Sequence, residues 1–193
     1  MKRRLLLRLP EGAALRPERL FFRRLIAMVA NLTLGKEKYA AVEGDMKEVA
    51  AKAAALKDDF LASSMRTATP SIKSWLPLKC PRIRTRPKKA RSAAIQDATK
   101  GAALVPFKVG QKANELFALA ETVITKGNQN AITDGAVAAM NARAAVRGAF
   151  LNVKINLGSI KDTLFVEDLK KRMAEIEKEV DAREKALLDQ VKL

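Results

Sequence analysis

Asp134, Asn141, Gly148 and Asn152 recur at intervals of seven, seven and four residues within an otherwise small and apolar stretch, Gly127 to Asp162. On a helix this spacing sets them along one stripe, which Ala138 and Ala145 complete. Polar side chains repeated along a buried helix face cost free energy unless they meet partners or a ligand. Two readings follow. The amides tie neighbouring helices together, as buried polar groups commonly do, or they line a pocket for a flat ligand with polar edges. Asn128 and Asn130 in the turn before this helix, and Asn156 near its end, join the candidate binding residues. Arg143, Arg147 and Lys154 form a cationic edge on another side of the same helix, either solvated or suited to an anionic tail.

The chemistry open to the chain is narrow. Its 193 residues include no histidine and one cysteine, Cys80. Imidazole bases, imidazole metal ligands, Ser/His or Cys/His nucleophiles, multi-cysteine metal sites and internal disulfides are excluded. Carboxylates, Lys, Tyr, Asn and the backbone remain. The single thiol suits a reducing cytoplasm.

A formal charge of +16 and a pI of about 10.2 ordinarily direct attention to nucleic acid or an anionic surface. The distribution argues otherwise. Residues 1–24 hold eight Lys/Arg and two Glu, and residues 63–91 hold nine Lys/Arg and no acid. The remainder is close to neutral, with 20 basic and 19 acidic side chains. The two basic segments also contain six of the seven prolines, the only Trp (Trp75) and Cys80. The basicity belongs to two inserts rather than to the body of the protein.

The elements that must position the stripe are helical. Leu25 to Leu34 reads as a buried helix closed by Gly35. Val42, Met46, Val49, Ala53, Leu56 and Phe60 share one face of a helix over residues 40–62. A helix from about Arg91 to Leu104 is expected to stop at Pro106, and another to run from Val109 to Thr125, burying Ala113, Leu116, Phe117, Ala120, Val123 and Ile124. The stripe-bearing helix is expected to begin near Thr133 or Asp134, either of which can cap it. The last helix carries Val166, Leu169, Met173, Ile176, Val180 and Leu187 on a seam that Arg183 interrupts, which predicts a bundle-edge or dimer-forming helix. No strand pattern, phosphate-binding loop or nucleophile elbow is present. The fold expected is all-α, an antiparallel helical bundle with a long C-terminal helix, dimeric. Residues 1–24 read as an atypical basic segment, and 25–193 as a single helical domain interrupted by a Pro/Arg-rich segment, 63–90, whose four prolines argue against a continuous helix there. The charged start lacks a proper apolar core and cleavage site, and LIAMVANLTL is about half the length a bilayer requires. Neither secretion nor membrane insertion is expected.

Three blocks, AMVANLTLGKEKYAAVEGDMKEV, RSAAIQDATKGAALVPFKV and above all GNQNAITDGAVAAMNARAAVRGAFLNVKINLGSIKD, resemble the cyclodeaminase/cyclohydrolase family over residues 27–62 and 91–193. This family includes the cyclodeaminase half of formimidoyltransferase-cyclodeaminase and stand-alone bacterial methenyltetrahydrofolate cyclohydrolases. The resemblance implies a cytoplasmic, all-helical homodimer that forms or hydrolyses 5,10-methenyltetrahydrofolate, without a metal and with no cofactor beyond the tetrahydrofolate substrate. In cyclodeamination N10 attacks the formimidoyl carbon and ammonia leaves; in cyclohydrolysis water is directed onto the same carbon. A carboxylate near that carbon can remove and supply protons and stabilise the cationic product. The resemblance makes Asn128, Asn130, Asp134, Asn141, Asn152 and Asn156 candidates for the pterin edge, and Arg147 and Lys154 candidates for the glutamate tail.

Two family features are missing. A glycine-rich PGGGS-like loop is replaced by RPERLFFRRL, and an acidic DEDSDAF-like segment by MRTATPS, so the expected catalytic Asp falls around Arg66 and Thr67. Given plausible codons and a one-nucleotide displacement, Met65 to Lys89 re-reads as DEDSDAFNKVMAAFKMPKDTDEAKE, which resembles the missing segment. The N-terminal basic segment has the same unusual composition. Residues 63–90 therefore read as out of frame, and the chain as a damaged member of the family. Two readings from other classes compete: a basic helical protein that grips nucleic-acid phosphate, with Trp75 for stacking, and a non-catalytic helical dimer. The nucleic-acid reading is disfavoured because no base-reading motif accompanies the charge.

Overall fold

Phe22, Leu25, Ile26, Val29 and Ala30, spaced by three, one, three and one, all lie buried on the inner face of α1, Phe21–Thr33. The helix starts earlier than its sequence suggests. The boundary expected between residues 24 and 25 falls inside it, because Phe22, only 1% exposed, belongs to the core. Gly35 follows at φ +71°, the left-handed conformation that closes helices at little steric cost to glycine. The computed structural model describes residues 21–56 and 88–191. Residues 1–20, and 57–87 with Phe60, Arg66, Thr67, Trp75 and Cys80, lie outside the described residues, so the expected loop and missing carboxylate fall there.

A 3₁₀ turn, Glu37–Val42, leads into α2, which the described residues cover from 43 to 56. Met46, Val49, Ala53 and Leu56 are buried on one face, as their spacing predicts. The helix begins three residues later than expected, and Val42 is only half-buried at the turn.

The largest departure is α3, Lys88–Lys126, a single helix of 39 residues with Pro106 inside it. The sequence predicts two helices parted at this proline, and a start at Arg91 rather than Lys88. Proline removes one backbone donor and leaves the carbonyl four residues earlier without its usual partner. Here that carbonyl belongs to Ala102, and Nδ2 of Asn156 reaches it at 3.4 Å. Ala103, Pro106 and Phe107 are buried around the break, so tertiary packing carries the helix through it.

After the 3₁₀ turn Gln129–Ala131 comes α4, Ile132–Leu157. Neither Thr133 nor Asp134 caps it: the helix begins at Ile132, and the only side-chain cap in this turn is Asn128, whose Oδ1 accepts from the Asn130 amide. The final helix, α5, Thr163–Leu188, is capped by Asp162, whose Oδ1 accepts from the Phe165 amide at 3.1 Å.

Helices α3 and α4 run antiparallel at close range. Ala102 meets Asn156 at one end, and Gly135 lies against Ile124 at the other. Between them Gly110 lies beneath the Phe150 ring, which stacks on Phe107 at 5.7 Å. Ala138, Ala139, Ala142, Ala145 and Ala149 are all buried on α4, and their small side chains let the helices approach. The α5 seam closes the outer side, with Leu169, Met173, Val180 and Leu187 buried. Arg183 does not break that seam. Its guanidinium lies over the Phe117 ring, 5.2 Å from the centroid, and pairs with Glu121 of α3 and Glu179 of its own helix. The described residues thus form the expected all-α bundle, and none of their helices is long and apolar enough to cross a membrane.

Gly110→Ala tests the closeness of α3 and α4. Its added methyl would stand 2.3 Å from Cε1 of Phe150, a ring with no exposure. Overpacking of about 1–3 kcal/mol opposes a gain in helix propensity of about 1 kcal/mol, so a lower Tm is expected. An unchanged or higher Tm would show that the ring shifts freely.

Candidate functional site

The Asn-rich turn is held from two sides. The Asn128 amide donates to Thr33 Oγ1 at 2.9 Å, and its Nδ2 donates to the Leu32 carbonyl at 3.2 Å. Thr33 Oγ1 in turn donates to the Val29 carbonyl at 2.7 Å. The Gln129 amide donates to the Tyr39 hydroxyl at 3.2 Å. Asn128 is only 5% exposed, so these bonds replace water it has lost. Its side chain fastens the end of α1 to the start of α4, while Asn130 is exposed beside it. Thr33 and Tyr39 were missed from sequence; the signals were that Tyr39 is the chain's only tyrosine and Thr33 stands just before the Gly35 cap.

The stripe on α4 lies at the rim of the bundle, not inside it. Ala138 and Ala145 are buried, Asp134, Gly148 and Asn152 half-buried, and Asn141 exposed. The amides do not tie helices together as a set. Asn141 Nδ2 donates to the Val137 carbonyl at 2.8 Å, and Asn152 Nδ2 to the Gly148 carbonyl at 3.0 Å, each four residues back on the same helix. Asn156 alone bridges helices, donating to Asn152 of its own turn and Ala102 of α3. Asn141 and Asn152 each retain the Oδ1 acceptor and one further N–H, whereas Asn156 has both N–H groups engaged and retains its acceptor alone. The structure therefore brings Asp134, Asn141, Asn152 and Asn156 to one side of one helix, with acceptors along the row and spare donors at Asn141 and Asn152. Asn128 and Asn130 stand at its N-terminal approach.

The cationic edge is paired with carboxylates of α5, although Arg147 and Lys154 remain exposed to solvent. Arg143 Nε meets Asp181 at 2.7 Å and Glu184 at 3.0 Å, Arg147 pairs with the same Asp181, and Lys154 Nζ meets Glu177 at 3.1 Å. These pairs join α4 to α5 on the flank away from the polar row. In this arrangement Arg147 and Lys154 already have carboxylate partners. The hydrogen bond from Arg143, and then that from Arg147, hold the Asp181 carboxyl below the ordinary carboxylate range. The Asp162 carboxyl is held low in the same way by Lys100, at 2.7 Å, and by the Phe165 amide.

A groove of about 210 Å³ between α2 and α3 is lined by Asp45, Glu48, Val49, Lys52 and Lys126 among others. None of the sequence-predicted site residues lines it, and Asp45 in it pairs with Lys126 at 2.7 Å. The polar row of α4 remains the candidate site. Its groups can bind and orient a ligand with mixed donors and acceptors. Asp134 is the one carboxylate in the row.

The chain is similar to known proteins in sequence and in fold. The family model described as formiminotransferase-cyclodeaminase matches residues 23–175. The chain is 34% identical over 171 residues to a methenyltetrahydrofolate cyclohydrolase of Methylorubrum extorquens, covering 87% of this chain and 81% of that protein. It is 28% identical over 158 residues to the formimidoyltransferase-cyclodeaminase of Rattus norvegicus, covering 79% of this chain but spanning only 28% of the rat protein. Among solved structures, a formiminotetrahydrofolate cyclodeaminase from Thermotoga maritima superposes with a TM-score of 0.74 at 26% identity, over 94% of this chain and 85% of that one.

Two outcomes are expected from this geometry. Asn128→Ala keeps the backbone bond to Thr33 but strands the Leu32 carbonyl and the Asn130 amide, and should cost about 1–3 kcal/mol in denaturant unfolding; a loss below about 0.5 kcal/mol would mean the turn is held otherwise. Because the folded Asp181 carboxyl titrates below its unfolded value, its contribution is complete above the ordinary range and is lost as pH falls through the folded value. Thermal melts should therefore show a steeper fall between about pH 4 and pH 2 for the parent than for Asp181→Asn, with equal slopes counting against the pairing.

Proposed function

The chain belongs to the formiminotransferase-cyclodeaminase family, and on that footing we propose that it binds a reduced folate along α4 and acts on the one-carbon bridge between N5 and N10. The observation that carries this reading is the 34% identity to a methenyltetrahydrofolate cyclohydrolase across 87% of the chain. Geometry supports it: Asp134, Asn141, Asn152 and Asn156 offer donors and acceptors on one side of a single helix, which suits the edge of a pterin. The chain acts as a homodimer in the cytoplasm, uses the folate as substrate and requires no further cofactor.

The reaction either closes or opens the methenyl bridge. In closing it, N10 forms a bond to the formimidoyl carbon while the bond to the departing nitrogen breaks, and ammonia carries the added proton away. In opening it, water adds to the methenyl carbon, a proton is lost, and one carbon–nitrogen bond of the bridge breaks. Both directions need a base and an acid beside one carbon, a task for a single carboxylate. Asn side chains hold the ring and Asp134 accepts from its N–H edge. The acid/base carboxylate of the family segment is not encoded at Arg66 or Thr67, so the chain as written binds substrate and turns it over slowly.

Replacing residues 65–89 by DEDSDAFNKVMAAFKMPKDTDEAKE tests both halves of this reading. General acid–base groups contribute about 10²–10⁴-fold, and hydrolysis of 5,10-methenyltetrahydrofolate should accelerate by that order in the replaced version. Both versions should bind a reduced folate, with Asn152→Ala weakening both. Equal rates would remove the displaced-frame account, and absence of folate binding in both would remove the folate reading.

A further inference from the structure

Three features weaken one short stretch of α3. Thr99 Oγ1 donates back to the Ile95 carbonyl at 2.8 Å, a bond that competes with the helix and bends it. Gly101 follows in the helix interior, where a Cβ would meet nothing within 4 Å, so no neighbour demands a glycine. A glycine where alanine fits leaves the backbone looser. Pro106 then deprives the Ala102 carbonyl of its donor. Before this stretch no residue from 92 to 100 is buried, whereas Ala103 and Phe107 just beyond Gly101 belong to the core. The first turns of α3 therefore form an arm that packing alone holds weakly.

Two side chains fasten that arm. Gln96 Nε2 donates to the Ser159 carbonyl at 3.0 Å, and its Oε1 accepts from the Lys161 amide at 2.8 Å, so one amide spans the turn between α4 and α5. Lys100 Nζ meets Asp162, the cap of α5, at 2.7 Å and lies 5.4 Å from the centroid of the Phe165 ring. Ile160 in the turn and Phe165 just after it pack against the core, which makes the turn a firm anchor. Ala102, next to Gly101, is thereby kept where Asn156 Nδ2 reaches its carbonyl at 3.4 Å. The same nitrogen donates to the Asn152 carbonyl at 2.9 Å.

We propose that the gap at Pro106 orients Asn156 as an acceptor toward a ligand, and that Gln96 and Lys100 are positioning residues that keep the Ala102 carbonyl in reach of it. Both N–H groups of the Asn156 amide are taken up by carbonyls, so Oδ1 alone remains for a ligand. Turning the amide over would set Oδ1 against two carbonyl oxygens, which fixes its orientation. The ligand group that meets Asn156 is therefore a donor, an N–H or O–H, while acceptors on the ligand are left to the free N–H groups of Asn141 and Asn152. Without Gln96 and Lys100 the arm pivots at Gly101, the Ala102 carbonyl withdraws and Asn156 recovers an N–H. Its preference for a donor is then lost. The role of Asn156 rests on the folate reading of the preceding section for the identity of the ligand; the fastening is a property of the chain alone.

Hydrogen exchange on the full chain reads the fastening with no ligand present. In the parent, amides 96–102 should exchange faster than amides 109–124. Gly101→Ala, whose methyl has open space, should slow the arm about fivefold. Gln96→Ala should speed both the arm and residues 155–161 about tenfold while 109–124 keep the parent rate. An arm as protected as 109–124, residues 155–161 unmoved by Gln96→Ala, or a rise spread evenly over every helix each overturns the fastening. Should Gln96→Ala fail to fold, Lys100→Met and Lys100→Arg give the same decision: loosening in the first and parent rates in the second, which keeps a charge for Asp162, support it, and equal rates overturn it. Titration with 5-formyltetrahydrofolate then tests the role of Asn156. Its Kd should rise about tenfold in Gln96→Ala and in Asn156→Ala, and the double variant should bind no more weakly than Asn156→Ala alone. Additive losses overturn the orientation of Asn156 through Gln96. A parent that binds no reduced folate removes the folate reading and the acceptor role together, while the fastening stands or falls on the exchange rates.

Discussion

The close approach of α3 and α4 is the constraint from which the rest of this bundle follows. Gly110 lies under Phe150, Gly135 against Ile124, and a run of buried alanines lines the contact. Side chains this small bring two helices together with many short contacts but bury little apolar surface per residue. The bundle therefore relies on the larger groups placed around that pair: Phe22 and Ile26 from α1, Met46 from α2, Leu169 and Met173 from α5. Of these helices, α1 and α5 pack on both α3 and α4. The polar turn at Asn128 then has one position open to it, between the end of α1 and the start of α4.

The same closeness sets what α4 can present outward. With one flank consumed by α3 and another by salt bridges to α5, the helix retains a rim of amides and an apolar strip. Candidate binding groups and an exposed apolar strip thus share one rigid rod, the arrangement in which a ligand is held most precisely by backbone that cannot relax. The amides of Asn141 and Asn152 are folded back onto the helix at Val137 and Gly148.

Periodicity made the helices legible because each buries a face at intervals of three and four. Met46, Val49, Ala53 and Leu56, and the α5 seam, were read correctly from spacing alone. Pro106 was not, because the group that completes its gap lies 50 residues further on, and spacing carries no information about partners across the fold. The start of α4 was misplaced for a similar reason: Thr133 and Asp134 are good local caps, but the tertiary bonds of Asn128 fix where the chain turns. In the candidate site the polar row itself was legible. Its position at the rim was not, since alternation of small and polar residues describes a buried face and a bordering one equally well. Likewise the cations at 143, 147 and 154 show their charge in sequence, but not the carboxylates of α5 that meet them.

The missing rung at Pro106 has a mechanical consequence. A helix of 39 residues is about 58 Å long, and such a rod yields first where its own ladder is interrupted. The spare carbonyl at that point is held by an amide of α4 rather than by α3 itself. Flexure of the longest element is therefore transmitted to the C-terminal half of α4, and the two helices bend as a laminate rather than as independent rods.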